Sequence, residues 1–331
     1  MTDIINAHFR PAPPWLTGNL QTVADRVRPR QHDLAAVSTE QRLVVGMNDG
    51  SGDALAVRIH RPRIGPRPDR PMVLVVHGLG GSIDSTYVRA TALGLLRAGY
   101  AVARVDLRGV GDSSEHCTML YHGGRSEDLR TVLRALADEP GAQGVAIMGF
   151  SLGGNVTLKL LGEPLDGLPV RGGVAVSSPI DLSVGNVHLS RRMFGLYEKF
   201  LVTKLKSDSR HSGLALTDEE RNAIAQVRTL TEFDDLITAK HNGWRDAAEY
   251  YAVNSSAQFL PRITVPTLVV HALDDPMIPA GPYHAIDWAQ LEAGTPVRRA
   301  ITRTGGHVGF HEQGTDLPWY VARAVGFLDA L

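Results

Sequence analysis

Three residues of this chain, Ser151, Asp275 and His307, have the side-chain types that together turn a hydroxyl into a nucleophile. A serine hydroxyl attacks poorly at neutral pH unless a base takes its proton. Imidazole has a suitable pKa, and a carboxylate fixes its tautomer and stabilises the imidazolium. Ser151 lies in Gly149-Phe150-Ser151-Leu152-Gly153, between the apolar run Val145-Ala146-Ile147-Met148 and a helix-forming stretch over 154–161. A tight strand-to-helix turn thrusts the serine oxygen out at a helix N-terminus, where backbone N–H groups and the helix dipole favour developing negative charge. The glycines answer the crowding of such a turn. By itself the five-residue string is a weak signal; the strand before it and the helix after it give it force.

The partners need choosing. Asp274 and Asp275 are adjacent, and only one can face a histidine; Asp275, followed by Pro276-Met277-Ile278-Pro279, is favoured by register, with Asp181 a weaker rival. Of 13 histidines, His307 stands behind Gly305 and Gly306, which allow close backbone approach. His311 reads as a surface or structural residue and His271 as a packed core residue. Two backbone N–H groups should hold an oxyanion, that of Leu152 after the nucleophile and that of Leu79 in His77-Gly78-Leu79-Gly80-Gly81. His77 is expected to order this loop, and Asp106 and Arg108 to tie down a turn. The spacings offer no metal site and no dinucleotide fingerprint, so no cofactor is expected.

The elements that must position these groups follow an alternating rhythm. Strands are predicted at Arg42–Met47, Ala54–His60, Met72–Val76, Ala101–Val105, Val174–Ser177, Thr267–His271 and Val297–Thr302, besides the run before Ser151. Helices are predicted over about 87–98, 125–138 and 317–331. Strand–helix alternation argues for an α/β fold with a mostly parallel sheet covered by helices on both faces. Residues 10–35, rich in Pro and Arg and weakly patterned, are expected to wrap the surface of the domain. From about 182 to 260 only helical patterns occur, including a capping box at Thr217-Asp218-Glu219-Glu220. The expected organisation is therefore a core of 1–181 and 261–331 with a helical cap, 182–260, inserted over the strands' carboxyl ends. Met193, Phe194, Tyr197 and Phe200 are its expected pocket lining.

Bulk properties exclude several classes. With 34 basic and 35 acidic side chains, the chain of 331 residues gives no electrostatic reason for nucleic-acid binding. One cysteine, Cys117, rules out an intramolecular disulfide and suits a reducing compartment. No transmembrane segment or signal peptide is expected, and the expected location is cytoplasmic, with peripheral membrane contact left open.

Together these motifs resemble the α/β-hydrolase superfamily over nearly the whole length. Within it the chain is similar to the YheT-like branch of bacterial esterases and related abhydrolase-domain lipases and acyltransferases. Phe9-Arg10-Pro11, Trp15-Leu16, Asn19-Leu20-Gln21-Thr22, His77-Gly78-Leu79, Gly149 to Asn155, Asp274-Asp275-Pro276 and Gly305 to Phe310 carry that finer match. The resemblance implies a Ser-His-Asp hydrolase of carboxylic esters, with Ser151, Asp275 and His307 at the matching positions. No N-terminal membrane anchor of the kind some eukaryotic relatives carry is expected here, an expectation that argues against a membrane-lipid substrate. The expected activity is a carboxylesterase acting on a small-molecule ester. The alternatives are an acyltransferase that passes the acyl group to an alcohol, and a non-catalytic ligand receptor on the same fold.

Overall fold

The computed structural model describes residues 4–65, 67, 69–139, 143–191 and 195–331. Eight strands form one sheet in the order β1-β2-β4-β3-β5-β6-β7-β8. They span Ser38–Gly46, Ala54–Pro62, Met72–Val76, Val102–Val105, Val145–Phe150, Val170–Val176, Thr267–Ala272 and Val297–Thr302 in chain order. β1 and β2 pair antiparallel, β2 meets β4 antiparallel, and every later pairing is parallel.

The continuous apolar runs of the central strands arise because both faces are covered. Met72, Leu74 and Val76 of β3 face one core together with α3 (Ser126–Ala137) and α4 (Leu152–Gly162). Val73 and Val75 face a second core with α2 (Thr86–Arg97) and α12 (Trp319–Leu328). β5 divides likewise, Val145 and Ile147 to one side, Ala146, Met148 and Phe150 to the other.

Between β6 and β7 the described chain is helical: α5 (Leu182–Arg191), α6 (Leu196–His211), α7 (Asp218–Gln226), α8 (Leu230–Phe233) and α9 (Ala247–Asn254), with a π-helical turn at Asp234–Ala239. The Thr217 capping box forms, its hydroxyl accepting from Glu220 N and the Glu220 carboxylate accepting from Thr217 N. Two short helices, α10 (Gly281–His284) and α11 (Trp288–Gly294), precede β8. Among the described residues no helix is long and apolar enough to cross a membrane.

Within residues 10–35, where no helix is predicted, Gly18–Val27 form one, α1, whose N-cap Thr17 accepts from Leu20 N. Upstream of it the chain runs beside β8, where Asn6 exchanges hydrogen bonds with Ile301. Phe9 then packs edge-on against Phe310 and Trp319.

Candidate active site

The turn at Ser151 is as tight as the sequence demands. Ser151 has φ 49° and ψ −122°, a conformation that costs a non-glycine residue on the order of 1–3 kcal/mol and persists only where its surroundings enforce it. The Ser151 N–H donates to Val176 O (2.9 Å), fastening the turn to β6. A Cβ on Gly149 would overlap the Thr157 hydroxyl, and one on Gly153 would overlap the His77 carbonyl. Asn155, fully buried one turn into α4, donates to Gly123 O (2.8 Å) and Asn254 O (2.9 Å) and accepts from Ser256 N (2.9 Å).

His307 Nε2 lies 3.0 Å from Ser151 Oγ, and its Nδ1 lies 2.9 Å from Asp275 Oδ2. The Asp275 side chain is wholly buried. Its other oxygen accepts from Met277 N (2.8 Å) and Ile278 N (2.9 Å). Burial opposes charge on Asp275, but the His307 imidazole and these amides outweigh it and hold the carboxyl below its usual range. Asp274 points elsewhere: its Oδ1 accepts from Gly305 N (2.9 Å) and Gly306 N (3.0 Å), bracing the histidine loop. Asp181 accepts from Ser183 Oγ and Val184 N at the start of α5. His271 is buried and stacked on Tyr283 at 3.9 Å between ring centroids.

The loop after β3 is pinned at alternate residues. Gly78 N donates to the Tyr87 hydroxyl (2.9 Å) and Gly80 N to the Tyr121 hydroxyl (2.7 Å). Among the described residues, the Leu79 N–H between them and the Leu152 N–H at the start of α4 have no intramolecular acceptor. His77 accepts from Leu107 N at Nε2 (3.1 Å), so its Nδ1–H donates to Gly78 O (2.8 Å). Burial lowers the His77 pKa to about 4, which keeps it neutral in this role. Arg108 is held by the carboxylates of Asp49, Asp53 and Asp128, and Asp106 accepts from Ile83 N and Asp112 N.

Three supports of the site lie in residues that sequence reasoning gave no role. Thr22 Oγ1 accepts from His307 N (2.8 Å) while donating to Gly18 O (2.7 Å). Buried Gln21 accepts from His311 N (2.6 Å) and donates to Trp15 O (2.6 Å), so His311 belongs to the same brace. The tyrosines of the β3 loop are the third. The Thr17 N-cap and the apolar spacing Leu20, Val23, Ala24, Val27 were the available signals for α1.

Ser151 and His307 open onto a cavity of about 450 Å³. Its walls include Leu182 and Leu189 of α5, Tyr197, Phe200 and Leu201 of α6, Leu230, Met277 and Ile278, together with Leu79 and Leu152. Tyr197 and Phe200 therefore line it, whereas Met193 and Phe194 lie outside the described residues. Among the described residues, no group of three His, Cys, Asp or Glu side chains is placed to hold a metal ion.

The family model for the alpha/beta hydrolase fold matches residues 71–313. The chain belongs to the α/β-hydrolase fold family. It is 34% identical over 244 residues to YheT of Escherichia coli, provisionally named an esterase, covering 73% of this chain and 71% of that protein. It is 28% identical over 276 residues to a monoacylglycerol lipase of Saccharomyces cerevisiae, covering 81% of this chain and 61% of the lipase. Among solved structures, the Pyrococcus furiosus esterase Pf2001 superposes with a TM-score of 0.60 over 98% of this chain and 97% of the esterase. At 17% identity that likeness speaks for the fold alone. The relatives support a hydrolase of the esterase and lipase type within this family.

Proposed function

We propose that this α/β hydrolase is a serine carboxylesterase with Ser151 as nucleophile. The observation that carries the reading is the hydrogen-bonded line Ser151–His307–Asp275 beside two acceptor-free amides at the mouth of an apolar cavity. Ser151 Oγ attacks the ester carbonyl carbon as His307 Nε2 takes its proton. The carbonyl oxygen becomes an oxyanion between the Leu79 and Leu152 N–H groups. Collapse breaks the acyl–oxygen bond, and the alkoxide leaves with the proton from His307. Water then attacks the acyl-enzyme, giving up a proton to the same nitrogen, and releases the acid and free Ser151. Asp275 keeps Nδ1 protonated and stabilises the imidazolium.

Residues 182–260 serve in this reading as a helical cap over the reaction centre. The side chains of Leu182, Leu189, Tyr197, Phe200, Leu201 and Leu230, which line the cavity with Ser151, support that role. Their apolar character fits the acyl chain of the ester. The test is hydrolysis of p-nitrophenyl esters of increasing acyl length, with Ser151→Ala in parallel. The wild type should turn over with an optimum length set by the cavity, and the variant should lose on the order of 10⁴-fold or more. A wild type inert toward every ester, or a Ser151→Ala variant as active as the wild type, would overturn the reading.

A further inference from the structure

The cavity mouth is edged by side chains that a soluble protein ordinarily keeps covered. Of the ten most exposed large apolar residues among the described ones, six lie on the segments that supply the cavity walls, with exposures from 40% to 63%: Leu16, Leu20 and Val27 in and just before α1, Val184 and Val187 in α5, and Leu196 at the start of α6. Leu16, Leu20, Val23 and Val27 recur at helical spacing, so α1 presents an apolar stripe outward. Its opposite side, with Gln21 and Thr22, braces the histidine loop. The pattern is thus inverted with respect to an ordinary surface helix.

These residues form one rim. The Tyr197 hydroxyl donates to Asn19 Oδ1 (3.0 Å), and the Arg26 guanidinium stacks on the Phe200 ring at 4.2 Å, so α1 and α6 meet beside the opening. Gln21, Arg26, Gly185, Asn186 and Tyr197 line the cavity itself, each next in sequence to one of the exposed apolar residues Leu20, Val27, Val184, Val187 and Leu196. The rim's charge is mainly basic, with Asp181 at the start of α5 engaged by Ser183 Oγ and Val184 N. Arg26, Arg28, Lys199 and Lys204 are exposed on α1, just past its end, and on α6, whereas the Asp25 side chain is only 24% exposed. The whole chain, by contrast, has a net charge of −1.

We propose that this rim docks on the surface of an anionic lipid assembly and draws the acyl chain of its substrate from that surface into the cavity. Apolar side chains flanked by cations are what such an interface receives: the former enter the acyl boundary and the latter meet the headgroup charge. The proposal leans on the esterase reading only in taking the cavity as the place where the ester reacts, and it replaces the expectation against a membrane-lipid substrate with peripheral contact through this rim.

Flotation of the full chain carrying Ser151→Ala tests it, using phosphatidylcholine vesicles with and without phosphatidylglycerol. The protein should float with the anionic vesicles, less with the neutral ones, and be released by salt. In the same background, Leu16→Ser/Leu20→Ser/Val27→Ser should lower the partition about tenfold or more. With Ser151 intact, the triple variant should still hydrolyse a water-soluble short-chain ester at the wild-type rate. If it fails to fold, Val187→Ser/Leu196→Ser on the opposite lip gives the second reading. The proposal is overturned if neither vesicle binds or if the rim variants float as well as their parent. Self-association that the rim variants abolish, without flotation, would assign the face to a second copy of the chain and overturn it equally. Because flotation uses an inactive protein, failure of ester hydrolysis in the wild type would strike the esterase reading alone.

Discussion

The serine turn and the histidine loop meet across one 3.0 Å hydrogen bond, yet they are held in opposite ways. The serine turn is framed mainly by its own neighbourhood: β5 leads in, α4 leads out, and Gly149 clears space for Thr157 eight residues on, with Gly153 making room for the His77 carbonyl and Val176 O taking the Ser151 N–H from outside. The histidine loop has no such local frame. Its backbone is carried by Asp274, 31 and 32 residues before Gly305 and Gly306, and by Thr22, 285 residues before His307. A reaction centre can therefore join a locally written half to one written across the whole chain. Damage to either should have a distinguishable signature.

The sharpest contrast within the histidine side is between the two adjacent aspartates. Asp275→Asn leaves the shape but removes the charge that faces Nδ1, and should lower kcat on the order of 10⁴-fold. Asp274→Asn keeps an acceptor oxygen for Gly305 and Gly306 and should cost about tenfold or less. Equal losses from the two substitutions would dissolve the distinction.

Acid should loosen the loop after β3 through its buried histidine. Burial holds His77 near a pKa of about 4, against about 6.5 in the unfolded chain. The unfolded state therefore binds the extra proton first, and stability is present above pH 6.5 and lost as pH falls toward 4. For His77 the loss is about 3 kcal/mol, and His60, His271 and His311 are depressed to about 4 in the same direction, chiefly by burial. Asp106 and Asp234, raised by burial to about 6, act with opposite sign and gain stability as pH falls below 6. Urea midpoints between pH 7 and 4 should thus decline, and less steeply in His77→Gln. A midpoint that rises on acidification would refute the assignment.

The smallest expected effect probes the distant brace. Thr22→Val removes the acceptor of the His307 N–H and should lower kcat about five- to tenfold, in line with roughly 1 kcal/mol for one hydrogen bond. Thr22→Ser should restore it. A Thr22→Val enzyme with wild-type kcat would show that the histidine loop stands without α1.

The same division decides what could be read from the chain alone. Met72–Val76 occupies the predicted residues because a continuous apolar run between turn signals is a local pattern, and Val297–Thr302, with Arg298 and Arg299 inside it, occupies its predicted residues too. The elbow was legible for the same reason. The N-terminal helix carries the signals of the Thr17 N-cap and the Leu20, Val23, Ala24, Val27 spacing, but Gly18, Gln21 and Ala24 are its buried residues while Leu20 and Val27 are exposed. The roles of Tyr87 and Tyr121 were hidden, since a hydroxyl that receives the Gly78 or Gly80 N–H leaves no mark on sequence spacing. Choosing Asp275 before Asp274 rested on motif register. In the fold the two carboxylates, one residue apart, serve different partners.

Thr22 and Gln21 also set a lower bound on the functional unit. Similarity to the family model begins at residue 71, and a chain cut there would retain Ser151, Asp275 and His307 in full. It would nonetheless lose the acceptor beneath the His307 N–H and the amide that ties His311 down. The exposed stretch Arg26-Val27-Arg28-Pro29, with one trypsin-cleavable bond after Arg26, lies between that brace and the sheet. A single nick there would turn an intramolecular support into a bimolecular one, whose occupancy then depends on concentration. The first thirty residues thus behave as a tethered subunit of the histidine loop, and their attachment sets an effective concentration rather than any step of the chemistry.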